Sequence, residues 1–107
     1  MLFTFPKKLL YLLGAIFVIN LVQAYYTELI FDEAYYWHYA QNFSFGYFDH
    51  PPMVAWFITL GGLIFEGHLG IRFVSCLLSV GTLLVLWKTI DHPKKNEYVS
   101  HFVVLAF

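Results

Sequence analysis

Charge is what this chain has least of. Asp, Glu, Lys and Arg make up 12% of its 107 residues, about half the ~25% of an ordinary soluble domain. So few charges cannot cover a small globule, which excludes a self-contained water-soluble fold. Cysteine is almost absent as well. Cys76 is the single one, so there is no internal disulfide framework, and its apolar surroundings suit a small packed hydrophobe. There is no basic excess either. The formal net charge is −1 and the lysines fall in short clusters, which removes the electrostatic footprint a nucleic-acid partner would need. Between Tyr26 and His68 there is no Lys or Arg at all. Internal repeats and low-complexity segments are also missing.

What the chain has is hydrophobic residues (60%) and aromatics (21%). Leu9 to Tyr25, LLYLLGAIFVINLVQAY, is uncharged and preceded by Lys7 and Lys8. It is within the ~17–25 residues that span a bilayer. A cleaved signal peptide is the alternative, but the apolar core is long for one and a second membrane segment follows. That segment runs from about Leu69 to Ile90, with Arg72 and Lys88 as its only charges. Trp87 beside Lys88 reads as an interfacial anchor. A polar turn, DHPKKNE, covers Asp91 to Glu97, and a third apolar run begins at Tyr98. Because that run stops short of a full span, the chain reads as the N-terminal fragment of a longer polytopic protein. The fold class is therefore all-α integral membrane, with an outer loop of interfacial helices at 26–68.

The basic residues set the orientation. Lys7, Lys8, Lys88, Lys94 and Lys95 flank one side, whereas the 26–68 loop holds Glu28, Asp32, Glu33, Asp49 and Glu66. The positive-inside rule puts the N-terminus in the cytoplasm and this loop on the periplasmic or extracellular face, with a bacterial inner membrane as the expected location.

The loop carries the candidate chemistry. Asp32 to Pro52 reads DEAYYWHYAQNFSFGYFDHPP. Asp32 to Asn42 lacks Gly and Pro and can form an interfacial amphipathic helix. Asp32-Glu33 has two readings. One is a general base or acceptor-orienting group, strengthened by desolvation near an apolar surface. The other is a helix start, with Asp32 as N-cap and a favourable macrodipole. Asp49-His50 precedes Pro51-Pro52, which open a helix. Those prolines would hold a second carboxylate or a metal ligand rigidly, or Asp49 and His50 simply cap the helix. Met53 to Phe65 is apolar but too short to span, and Gly61-Gly62 weakens it. Arg72 at the outer end of a span must be paired. Its partner is either a substrate phosphate or carboxylate, or a loop acid. The loop aromatics, Tyr36 among them, either stack on sugar or lipid or form an interfacial belt.

The order of these pieces is DEAYYW in an outer loop, then GYFDHPP, then an apolar stretch, then GIRFVS entering the next span. This order resembles the GT-C-fold glycosyltransferases of the dolichyl-phosphate-mannose-protein mannosyltransferase group, on the branch with aminoarabinose transferases, over about residues 9 to 90. The resemblance implies transfer of a sugar from a polyprenyl-phosphate donor to a lipid or protein acceptor at the outer face, among membrane lipids. It implies Asp32 as the catalytic aspartate and Asp49 as a supporting carboxylate able to contact a divalent metal. It further implies Glu33 beside Asp32 and an arginine, Arg72, at the mouth of the second span; with Tyr36 and His50 of the loop these are the candidate substrate-binding residues. The several-hundred-residue length of such enzymes implies that these residues alone are inactive. A transporter fragment or a small non-catalytic membrane protein is the competing reading. Transporters, however, keep their ionisable groups in mid-membrane, and here they lie in the loop.

Overall fold

The computed structural model describes residues 5–47 and 50–105. Among these the chain is all-helical: α1 (Lys7–Tyr26), α2 (Phe31–Ala40), α3 (Met53–Gly62), α4 (Gly67–Thr89) and α5 (Lys95–Leu105). α1 has 20 residues and α4 has 23, and both are long and apolar enough to cross a membrane. At 1.5 Å rise per residue, 20 residues cover roughly 30 Å, the thickness of a hydrocarbon core. α3 has 10 residues, or roughly 15 Å, and cannot span.

The chain divides into two compact units. One takes α1 up to Ile19, α4 from Leu77 and α5; the other runs from Asn20 to Cys76. In the first unit Leu9, Leu13 and Ile16 of α1 cluster with Trp87 of α4 and with Val99 and Val103 of α5. Spacings of three and four residues put each set on one helix face. The remaining apolar residues of α1 and α4, among them Tyr11, Val18, Leu78 and Val85, are exposed. In water that would be a liability, but against lipid it is the expected surface. Trp87, expected as an interfacial anchor, is packed within this unit. Its side chain is 7% exposed, and its indole N–H donates to Asn96 Oδ1 at 2.6 Å. Lys95 Nζ lies 4.1 Å from its ring centroid. The polar turn folds back and supplies the partners that a buried indole requires.

The second unit is built on backbone proximity. Gly61 and Gly70 are both buried. A Cβ added at Gly61 would collide with the Gly70 carbonyl oxygen, and one added at Gly70 would collide with the Phe65 carbonyl oxygen. The Gly61-Gly62 pair thus lies inside α3 and lets α4 approach closely, as small residues do between membrane helices. Gly67 begins α4 at φ +68, a left-handed conformation suited to glycine. α3 is tied to the residues before it by side-chain hydrogen bonds. Trp56 Nε1 donates to the Ser44 carbonyl at 2.8 Å and Thr59 Oγ1 to the Ala40 carbonyl at 3.3 Å.

Candidate functional site

The predicted interfacial helix is α2, and its start differs from expectation. Its N-cap is Ile30, not Asp32. Isoleucine has no side-chain acceptor, so only the reciprocal half of a capping box can form. Glu33 makes that half, with Oε2 accepting from the Ile30 N–H at 3.1 Å. Asp32 sits within the first turn, where a carboxylate still favours the helix dipole, and its side chain is exposed.

Arg72 meets a loop acid. Its Nε donates to Glu33 Oε1 at 2.7 Å and its Nη2 to Glu33 Oε2 at 2.5 Å, a bidentate, charge-assisted pair. Nη1 donates to the carbonyls of Ala24 at 3.1 Å and Thr27 at 2.7 Å, and Nη2 also donates to that of Glu28 at 2.9 Å. A guanidinium has five N–H groups, and here five acceptors take them. Carbonyls at a helix C-terminus lack intrahelical donors and carry partial negative charge. Arg72 therefore closes the end of α1 while it grips the start of α2. With every donor engaged, it has none left for a phosphate in this arrangement.

The same pair lowers the Glu33 pKa below the ordinary 4.5; the Arg72 hydrogen bonds are the largest cause, and partial burial opposes them. A depressed carboxylate pKa stabilises the fold fully above the ordinary value and loses that stabilisation as pH falls through the lowered one. The melting temperature in detergent is therefore expected to drop below pH 4.5, and Glu33→Gln is expected to flatten that drop. Parallel curves for the two proteins would show that the pair does not contribute to stability.

Helical spacing divides α2 into two stripes. Asp32, Tyr35, Tyr36 and Tyr39 stand at i, i+3, i+4 and i+7, whereas Glu33, Trp37 and Ala40 stand on the neighbouring stripe. The first stripe meets His50. The His50 ring centroid is 5.5 Å from that of Tyr35, 5.2 Å from that of Tyr36 and 6.3 Å from that of Tyr39. The Tyr35 and Tyr39 hydroxyls share a hydrogen bond of 2.7 Å. Tyr47 donates to the carbonyls of Tyr39 and Asn42 at 3.0 and 2.9 Å. The second stripe faces a cleft of about 350 Å³, lined by Trp37, Gln41, Thr59, Glu66 and Ile71 among others. Asp32 does not line it.

Tyr36 and His50 are thus brought together, as are Glu33 and Arg72. Asp32 lies on the Tyr–His stripe of α2, and Asp49 lies outside the described residues. Among those residues no group of three His, Cys, Asp or Glu side chains could hold a metal ion. The expected metal contact through Asp49 lies outside the described residues. The sequence did not reveal the Ala24, Thr27 and Glu28 carbonyls, because a backbone acceptor leaves no side-chain signature. An arginine near the start of an apolar helix was the available signal.

Residues 49–105 match the family model described as dolichyl-phosphate-mannose-protein mannosyltransferase. That stretch contains His50 and Arg72, and begins after Asp32, Glu33 and Tyr36. A 67-residue alignment is 39% identical to the lipid A galacturonosyltransferase RgtD of Rhizobium johnstonii, covering 59% of this chain and 14% of that protein. No solved structure matches.

Proposed function

Because the chain belongs to the dolichyl-phosphate-mannose-protein mannosyltransferase family, we propose that it forms the N-terminal part of a membrane glycosyltransferase. The reaction is transfer of a sugar from a polyprenyl phosphate to an acceptor at the outer face of a bacterial inner membrane. The observation that carries this reading is the family match together with the acid-bearing α2, which follows an apolar helix long enough to span. The name of the relative, a lipid A galacturonosyltransferase, supports a lipid acceptor and a uronosyl or hexosyl group.

The acceptor hydroxyl or amine attacks the anomeric carbon. The bond to the acceptor forms as the carbon–oxygen bond to phosphate breaks, and the phosphate leaves with the electron pair. The acceptor proton passes to a base. In this reading Asp32 is the base, and Tyr36 and His50 border the sugar on the same side of α2. Charge growing on the departing phosphate needs cations. Arg72 is already engaged, so those cations belong to other parts of the complete protein. The 107 residues alone are accordingly expected to be inactive.

The test uses sealed membrane vesicles carrying the complete gene product, supplied with lipid A and with polyprenyl-phosphate-linked galacturonic acid or mannose. Label is expected in the lipid only when donor and acceptor reach the outer face. Absence of label with both donors, from protein shown to be inserted, would overturn the reading.

A further inference from the structure

Resting on the transferase reading above, we propose that Glu33 and Arg72 are positioning residues: a clamp that sets the rotation of α2 so that Asp32 and the Tyr–His stripe face the substrate. The clamp joins three pieces of one unit. Arg72 is near the start of α4. Its guanidinium holds the carbonyls of Ala24, Thr27 and Glu28 at and just beyond the end of α1. Glu33, in the first turn of α2, takes the two remaining donors and also holds the Ile30 N–H.

Two planar groups joined by parallel hydrogen bonds fix direction as well as distance. Residues 32 and 33 are one position apart, or roughly 100° around a helix. When Glu33 is fixed against Arg72, Asp32 must point out beside Tyr35 and Tyr36. The other contacts of α2 fall further along it, at Tyr35, Tyr36, Tyr39 and Ala40, whereas the clamp grips its first turn beside Asp32, whose own side chain is exposed. α2 is also only 10 residues long, too short to be rigid without tertiary contacts. A base displaced by about 1 Å can lose on the order of 100-fold in rate, so the restraint matters if Asp32 takes the proton.

The alternative role for Arg72 is direct contact with the donor phosphate, and the two roles separate kinetically. Loss of a phosphate contact raises donor KM, and lowers kcat too where the contact takes up charge on the leaving group, whereas loss of a positioning residue lowers kcat and leaves donor KM near wild type. They also differ in what Glu33 does. For the clamp, Glu33 and Arg72 are one device. For a phosphate site, losing Glu33 would free the arginine and tighten donor binding.

The experiment is a double-mutant cycle in the complete gene product, with Glu33→Gln, Arg72→Met and the pair together. The added variant Arg72→Lys keeps the charge but has fewer donors. Turnover per inserted molecule, donor KM and hydrogen exchange of the α2 amides are measured for each. Each single variant is expected to lose on the order of 100-fold in kcat, with donor KM within about threefold of wild type. The pair should be no worse than either single variant, Arg72→Lys should not rescue, and α2 exchange should be faster throughout. If Arg72→Met does not insert, the near-isosteric Glu33→Gln, which leaves the carbonyl contacts in place, decides the matter by the same readouts. Raised donor KM in Arg72→Met, tightened donor binding in Glu33→Gln, or rescue by lysine would overturn the clamp. If wild type transfers no sugar, the transferase reading fails by itself. Exchange then judges the clamp: unchanged α2 protection in Glu33→Gln overturns it, and faster exchange supports it.

Discussion

Asp32→Asn, made in the complete gene product, is expected to abolish sugar transfer while leaving the amount of protein in the membrane unchanged. The amide has nearly the same shape as the carboxylate but cannot accept the acceptor's proton. A positioned general base contributes about 10²–10⁴-fold, and the loss should fall in that range or below detection. The structure gives reason to expect the protein itself to be unharmed. Asp32 is exposed, it is not the N-cap, and the reciprocal bond to the Ile30 N–H comes from Glu33. Loss of the favourable macrodipole contact costs only about 0.3–1 kcal/mol. Asp91→Asn, in the polar turn before α5, is the matched control and should transfer normally. Donor KM, measured on whatever residual activity remains, should stay near wild type. Wild-type turnover by Asp32→Asn would remove Asp32 from the chemistry and leave Asp49 as the acid to test next.

Gly70→Val is expected to be the most damaging single change to the fold. The added Cβ would meet the Phe65 carbonyl oxygen and crowd the Gly62 Cα at 3.3 Å. Both obstacles are backbone, so no rotamer change relieves them. Overpacking usually costs about 1–3 kcal/mol, and a β-branched residue against a fixed carbonyl should be at or above the top of that range. Gly61→Ala should behave similarly, because its Cβ would meet the Gly70 carbonyl oxygen. The controls are Gly14→Ala in α1 and Gly81→Ala in α4, where a new Cβ would find nothing within 4 Å. There the better helix propensity of alanine, worth about 1 kcal/mol, should leave stability equal or slightly improved. Thermal unfolding in detergent, with the four variants side by side, checks the contrast. Equal melting temperatures for Gly70→Val and Gly81→Ala would mean that α3 and α4 do not meet at these glycines.

Much of the helical layout was legible in the chain. α1 and α4 follow from long apolar runs with few charges, since backbone polar groups in lipid must be satisfied within the segment. α2 follows from a stretch free of Gly and Pro, and α3 from the Pro51-Pro52 start; its carbonyl at Pro52 accepts from Trp56 at 3.1 Å. The candidate residues could be picked from the sequence, but not their pairing of Glu33 with Arg72 and of Tyr36 with His50. Asp32 looked like the cap because Asp is a preferred N-cap type. The cap fell on Ile30 because Glu33, three residues on, could reach back to its N–H. Trp87 looked like an anchor because it neighbours Lys88. It is buried because the turn brings Lys95 and Asn96 over it.

The sequence by itself determined the membrane class, the helices and a 26–68 loop that holds acids but no Lys or Arg, because these depend on local composition and on the cost of charge in lipid. It also carried the family, through the order of its motifs. Only the tertiary structure decided which acid Arg72 holds, that His50 packs against Tyr35 and Tyr36 of α2, and that Gly61 and Gly70 form a contact. Each of these depends on residues far apart in the chain, on backbone carbonyls, or on the absence of a side chain. None of the three is encoded by residue type and spacing along a single segment.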